Sequence, residues 1–185
     1  LADVNGDGLT DFVWSKGNDR GVALNTGSNW IVDPSWSVPI IFTFDSLFVR
    51  GTEVRDVNGD GLSDLIESET GPSTFQNVFL NTGSGWALDP SWVFPAPLRI
   101  NSFADYGTRL VDFNGDGLLD VLVGRTTSVD EFAAYLNTGS GWVSAPEWIP
   151  LPSAFAVGGF GSDTGVRLVD VNGDGMTDFV KSLFD

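Results

Sequence analysis

Nine residues return four times along the chain, and little else in the sequence constrains its fold as strongly. Asp3 to Asp11 reads DVNGDGLTD, Asp56 to Asp64 DVNGDGLSD, Asp112 to Asp120 DFNGDGLLD and Asp170 to Asp178 DVNGDGMTD. The copies start 53, 56 and 58 residues apart. A period of that size marks a repeat architecture, in which each unit is one supersecondary element that buries its apolar face against the next.

The spacing inside the loop carries chemistry. Side-chain oxygens fall at positions 1, 3, 5 and 9: Asp3, Asn5, Asp7, Asp11; Asp56, Asn58, Asp60, Asp64; Asp112, Asn114, Asp116, Asp120; Asp170, Asn172, Asp174, Asp178. Hard cations of calcium's size take about six to eight oxygens at roughly 2.3–2.6 Å. Alternate residues of a curled loop point inward, so positions 1, 3 and 5 can converge. The main-chain carbonyl of position 7 (Leu9, Leu62, Leu118, Met176) adds an oxygen, and the Asp at position 9 closes the shell. Glycine at position 6 permits the sharp turn that a Cβ would obstruct. About one calcium ion per loop is expected, four in all. Magnesium demands a stricter octahedron and keeps its waters, and zinc would find no Cys and no His in the chain. One such loop alone would equally suit an Asx-rich hairpin turn. Four copies that each keep three mutually repelling aspartates favour the ion.

The first half of the loop matches the EF-hand pattern, but its surroundings do not. Position 12 holds Trp14, Glu67, Val123 and Lys181 in turn where a bidentate Glu is required, and a short β-type run follows instead of an amphipathic helix. Dockerin modules are excluded by the same missing helix. The formal charge of -16 comes from 25 acidic against 9 basic residues. Twelve of those acids are the proposed ligands, so the acidity is largely the mark of the metal loops. It argues against nucleic acid, which needs a basic face, and against anionic membranes. No apolar run approaches the ~20 residues of a membrane span, and no membrane insertion is expected. The absence of Cys rules out a disulfide framework. The chain opens inside a repeat and without Met, as an excerpt of a longer protein would.

The whole chain, 1–185, reads as a single repeat array: 3–55, 56–111, 112–169, and 170–185 as the start of a fourth unit. After each loop comes a β run, then a variable polar hairpin at 16–19, 70–73 and 125–128. A second β run leads into a recurrent tight turn: Leu24-Asn25-Thr26-Gly27, Leu80-Asn81-Thr82-Gly83 and Leu136-Asn137-Thr138-Gly139, followed by Trp30, Trp86 and Trp142. Proline-flanked segments carry Trp36, Trp92 and Trp148, and proline confines them to an edge or a connection. A glycine-led alternating strand, beginning at Gly51, Gly107 and Gly165, then feeds the next loop. No segment keeps a helical period. The prediction is all-β: four-stranded antiparallel blades of a β-propeller, with the calcium loop joining strands one and two. Three and a fraction blades form a partial or open array, so neighbouring repeats, further copies or a protein partner are expected to close it.

On these residues the chain resembles the FG-GAP/VCBS repeat family, whose members include integrin α-subunit propellers, fungal lectins and the propellers of toxin-complex and Rhs-like proteins. The resemblance spans the whole chain and implies calcium in the loops. The family's Phe-Gly pair survives at Phe160-Gly161, with Tyr106-Gly107 as a weaker echo, and the Gly-Ala-Pro after the second strand is absent. Those departures lean towards the VCBS branch, and the Leu-Asn-Thr-Gly-Ser-Gly-Trp run is most similar to the toxin-associated members.

Function follows from what the residues offer. Without His or Cys no nucleophilic triad of the usual kind can be assembled, and a calcium saturated by protein oxygen has no open position for water. The chain is therefore expected not to be an enzyme. The leading expectation is a calcium-stabilised scaffold or protein-interaction module of a larger secreted or surface protein, an extracellular setting being where calcium is plentiful. The alternative is a carbohydrate-binding, lectin-like propeller, with Trp14 as the exposed aromatic. Integrin-like adhesion through an open ion site is disfavoured, since Asp at position 9 completes every loop. The tryptophans that recur in each unit are expected to pack between blades. Arg109 and Arg167 share an inner-strand position with Glu53 and either line a central channel or pair with nearby aspartates.

Overall fold

The structure, a computed structural model, describes residues 1–44, 49–72 and 74–182. The last residue of the polar hairpin at 70–73 lies outside the described residues. The first blade holds β1 (Phe12–Lys16), β2 (Asp19–Asn25) and β3 (Trp30–Val32). The second holds β4 (Thr52–Arg55), β5 (Asp64–Thr70), β6 (Phe75–Asn81) and β7 (Trp86–Val93), extended by a small hairpin of β8 (Arg99–Ile100) and β9 (Ala104–Asp105). The third repeats that plan with β10 (Thr108–Val111), β11 (Asp120–Thr126), β12 (Asp130–Asn137), β13 (Trp142–Ser144), β14 (Ala156–Val157) and β15 (Ser162–Asp163). A pair, β16 (Val166–Val169) and β17 (Asp178–Lys181), begins a fourth. The proline segment of the third blade forms a short 3₁₀ turn, Pro146–Trp148.

The sheets are meanders. β4, β5, β6 and β7 pair antiparallel in sequence order, as do β10, β11, β12 and β13. In the second, third and fourth repeats the nine-residue loop joins the innermost strand to the second, as the sequence predicts, while at the first loop a single Ala2–Asp11 bridge takes that place; the array of described residues is all-β and unclosed. One feature was not legible in the sequence. The second strand also pairs in parallel with the connecting segment at its far end, Glu69 with Arg99 and Arg125 with Ala156, and Lys16 bridges Thr43 in the same sense. These pairings satisfy backbone groups that would otherwise end the blade as a bare edge.

The core lies between blades. Leu65 packs with Val4, Val22, Trp36 and Val38 of the first blade, while the adjacent Ile66 faces Val121 and Val123 of the third. In the next blade Val121 and Leu122 divide in the same way, Leu122 meeting Phe155 and Val166. Successive side chains of a strand point to opposite faces, and a strand covered on both faces reads as a continuous apolar run. Four of the recurrent tryptophans, Trp36, Trp86, Trp92 and Trp142, lie in these layers, whereas Trp30 and Trp148, which the sequence also assigns to packing between blades, are exposed. Trp36 meets Trp86 edge-on at 5.0 Å between ring centres, and Trp92 meets Trp142 at 5.0 Å. Geometry of that kind adds about 0.5–1.5 kcal/mol beyond the area buried. Both pairs cross from one blade to the next.

Two readings of individual residues need correction, and one pair of alternatives is decided. Trp14 is not an exposed platform: its ring lies over the backbone of Gly21 and its Nε1 donates to Asp19 Oδ1 at 2.9 Å. Phe160-Gly161 and Tyr106-Gly107 are not equivalent. The first forms the turn of the β14–β15 hairpin, where Phe160 is 90% exposed, whereas the second leads into β10. Of the alternatives for the inner-strand arginines, pairing is realised, with Arg109 on Asp105 at 2.8 Å and Arg167 on Asp163 at 3.0 Å.

Candidate metal centre

Each loop is first a knot of its own hydrogen bonds. The position 1 aspartate takes the amides of both loop glycines: Asp3 accepts from Gly6 N and Gly8 N at 2.8 Å each, and Asp56, Asp112 and Asp170 do the same within 2.7–2.8 Å. Position 3 closes an Asx turn: the Oδ1 of Asn5, Asn58, Asn114 and Asn172 accepts the amide of position 5 at 2.8–3.0 Å. The same asparagines donate from Nδ2 to the Oδ2 of Asp7, Asp60, Asp116 and Asp174. The other oxygen of that aspartate accepts from the amide of Leu9, Leu62, Leu118 or Met176 at 2.8 Å. Positions 1, 3 and 5 thus share one turn, and the position 5 carboxylate is exposed in every copy.

Position 9 stands apart. Asp11, Asp64 and Asp120 are fully buried, although each is charged at neutral pH in an ordinary setting. One oxygen accepts from the amide of position 2 (Val4, Val57 and Phe113, at 3.0, 2.9 and 3.2 Å). The other accepts from the amide of the asparagine in the Asn-Thr-Gly turn (Asn25, Asn81 and Asn137, at 2.8, 2.7 and 2.8 Å). Asp178 is half-buried and bonds Val171 N alone in this set, at 3.1 Å. Burial pushes the Asp64 carboxyl up to about 6, against the two amide bonds that favour its charge, and the carboxylates of Asp60 and Asp56 push the same way. Asp120 is raised for the same causes, with Asp116 and Asp112 as its like-charged neighbours. The exposed Asp170, by contrast, is held below the usual carboxylate range by the amides of Gly175 and Gly173.

The donor set suits a hard divalent cation. Every loop offers three carboxylates, an amide oxygen and main-chain carbonyls, with no nitrogen or sulfur ligand, and in the second and third loops the position 1 and 5 carboxylates are near enough for their charges to be felt at position 9. Among the described residues no three acidic side chains have the spacing of a ready-made metal site. A carboxylate accepts about four hydrogen bonds, so the amide contacts leave lone pairs for an ion. Asp3, Asn5 and Asp7, and their equivalents, would hold it from the exposed turn, with the position 9 aspartate beneath.

Two contributions escape sequence reasoning. The turn asparagines join successive loops: Asn81 Nδ2 donates to Ser63 O of its own loop at 3.1 Å and to Val4 O of the preceding one at 2.8 Å. Asn137 Nδ2 likewise reaches Leu119 O at 3.1 Å and Val57 O at 2.7 Å. Position 7 also acts through its side chain. Leu62 lies over Gly6 of the previous loop and Leu118 over Gly59, so close that a Cβ on either glycine would stand 2.9 Å from the leucine methyl. The recurrence of Leu-Asn-Thr-Gly was the only available signal, and a tight turn explained it sufficiently.

A profile of FG-GAP-like repeats matches residues 56–123 and 112–180. The chain belongs to the FG-GAP-like repeat family, a class of β-propeller repeat proteins. Among individual proteins it is 27% identical, over 90% of its length, to the phosphatidylinositol-glycan-specific phospholipase D of Dictyostelium discoideum, and it spans 21% of that relative. In structure it is similar to an Agrocybe aegerita lectin described as recognising non-reducing terminal N-acetylglucosamine, with a TM-score of 0.63, 23% identity, and coverage of 97% of this chain and 44% of that one. It is also similar to the Photorhabdus luminescens Tc holotoxin pore, with a TM-score of 0.55, 22% identity, and coverage of 99% and 8%. At such identities the likeness concerns fold. The repeat family and both neighbours together define a propeller-like repeat fold. No helix among the described residues is long and apolar enough to cross a membrane.

Proposed function

We propose that this chain is a calcium-binding propeller module that serves as a rigid scaffold or protein-interaction domain within a larger secreted or surface protein, of the toxin-related kind. The observation that carries the reading is the recurrence of one oxygen-rich knot at the same place in each blade, with each knot bonded to the next. Calcium bound there would screen carboxylates that otherwise repel, in a chain of formal charge -16. At about 1 mM calcium and a dissociation constant of roughly 10 μM, linkage adds about 2.7 kcal/mol per site. That contribution is available outside cells and largely lost in a calcium-poor cytosol. The module is not read as catalytic. The activity in the phospholipase relative's name belongs to a protein of which this chain spans 21%. Calorimetric titration with calcium, paired with thermal melts in calcium and in EDTA, tests the proposal. Saturable binding near four ions per chain and a clearly lower melting temperature in EDTA are expected; no heat and identical melts would overturn it.

A second reading, carbohydrate binding, rests on a groove of about 370 Å³ between the second and third blades, where Tyr106, Phe132 and Tyr135 stand beside Asp130 and Glu131. Aromatic faces flanked by acceptors suit a sugar ring. Glycan-array binding that disappears in Tyr135→Ala while the melting temperature holds would select it. A blank array would remove it.

A further inference from the structure

Asn81 uses its backbone N–H, both side-chain N–H donors and its side-chain oxygen at the junction of two blades. Its backbone N–H donates to Asp64 Oδ1 at 2.7 Å, its Nδ2 donates to Val4 O and Ser63 O, and its Oδ1 accepts from Gly83 N at 2.9 Å. Asn137 repeats the set with Asp120, Val57, Leu119 and Gly139. Both are buried. Only a side chain with two N–H donors and an acceptor oxygen on one rigid group can hold two carbonyls and cap its own turn at once. Aspartate would present oxygen to two carbonyls, and serine has a single donor.

Asn25 occupies the same place in the first blade and supplies an internal control. Its backbone bonds Asp11, its Oδ1 caps Gly27, and its Nδ2 reaches Thr10 O at 3.0 Å, within its own blade. The own-loop function is therefore common to all three asparagines, and among the described residues the bonds to a preceding loop are made by Asn81 and Asn137. Other ties run the same way. Ser63 N donates to Asp3 O at 3.1 Å, and Thr177 Oγ1 donates to Asp112 O at 2.8 Å, each linking position 8 of one loop to position 1 of the loop before.

We infer that Asn81 and Asn137 are positioning residues that relay the conformation of one cation loop to its neighbour, so that the loops respond to ions as a coupled series. The inference rests on the cation reading for its ligand, while the relay itself is a property of the chain. Loop one is held from outside through the carbonyl of Val4, next to Asp3 and adjoining the amide that bonds Asp11. Fixing that carbonyl fixes where positions 1 and 9 stand relative to each other. An ion that orders loop two sets Asp64, hence Asn81, hence Val4.

The test compares Asn25→Asp, Asn81→Asp and Asn137→Asp in the full chain, with Asn81→Ala replacing Asn81→Asp if the charged variant does not fold. Terbium luminescence, excited through tryptophan, reports ion binding, and hydrogen exchange reports the amides of residues 3–11 and 56–64. The relay requires Asn81→Asp to speed exchange in residues 3–11, whose sequence is untouched, by tenfold or more, and Asn137→Asp to do so in 56–64. Asn25→Asp should alter its own blade alone. Terbium affinity should fall about tenfold in the two cross-blade variants, with a shallower titration, and several-fold less in Asn25→Asp. Equal shifts in all three variants, or unchanged exchange in the preceding loop, would overturn the relay. Failure of the unmodified chain to bind terbium would remove the cation reading, and the exchange comparison would still decide the relay.

Discussion

The second and fourth loops are almost the same sequence, DVNGDGLSD and DVNGDGMTD, yet they sit in different surroundings. Their internal bonds agree to within 0.2 Å, from the glycine amides on Asp56 and Asp170 to the Asx turns of Asn58 and Asn172. Beyond the knot they part. Val57 is fully buried and Val171 is 65% exposed; Asp64 is buried under two amides, while Asp178 is half-buried and in that set has only Val171 N. Local hydrogen bonding is thus carried by nine residues, whereas burial is conferred by the blades on either side. A loop becomes a structural joint only when a neighbour covers it.

The sharpest test of that contrast uses tryptophans in matching positions. Trp92 is buried against Trp142 and Phe94 belongs to the same layer, whereas Trp148 is 42% exposed. Trp92→Ala is expected to cost about 4 kcal/mol, and Trp148→Ala about 1 kcal/mol, in urea denaturation followed by fluorescence. Equal losses would mean that the exposed tryptophan is held as firmly as the buried one. Removing the carboxylates comes next. Asp64→Ala strands two amides, one of them fully buried, and should cost about 3 kcal/mol in EDTA, against less than about 1 kcal/mol for Asp178→Ala.

Much of this was open to inspection in the chain itself. The period, the alternating runs and the Asn-Thr-Gly turns specified antiparallel blades with the loop between the first two strands. Asp3, Asn5 and Asp7 share a turn because their spacing alone brings them there. The placement of Trp14 is not legible in the sequence, since nothing there announces that Gly21 lies across the hairpin to receive its ring. The parallel pairing of Glu69 with Arg99 was likewise hidden, because a two-residue strand leaves no periodic trace.

Smaller effects refine the comparison further. Gly59 and Gly173 both sit at position 4 with φ near +80°, but only Gly59 has a leucine methyl against it. Gly173→Ala should cost about 1 kcal/mol from backbone strain, and Gly59→Ala about 1 kcal/mol more from the displaced Leu118. Thermal melts of the two variants in the same buffer would show the difference, and identical shifts would deny the contact any weight.

The smallest expected effect is a pH dependence in EDTA. Folding raises the Asp64 carboxyl from 3.8 to about 6, and Asp120 in the same direction. Over that interval the folded chain keeps protons that the unfolded chain has released, so the stability from these groups is complete below the unfolded value and fades as pH rises through about 6. The melting temperature should therefore decline between about pH 4.5 and 6.5. Asp64→Asn should flatten the decline. A melting temperature of the unmodified chain that rises across the interval would show that burial does not govern Asp64.

By itself the sequence determined what depends on near neighbours along the chain: the Asx knots, the turns, the strand alternation and the oxygen-only donor sets, all set by bonds spanning a few residues. Tertiary structure decided which of four near-identical loops has its position 9 acid buried, which asparagine amide reaches a carbonyl 77 or 80 residues away, and which tryptophan finds a partner. The physical reason is that a hydrogen bond inside a loop is fixed by backbone geometry, while desolvation and cross-blade bonding exist only once another sheet has excluded water from that face.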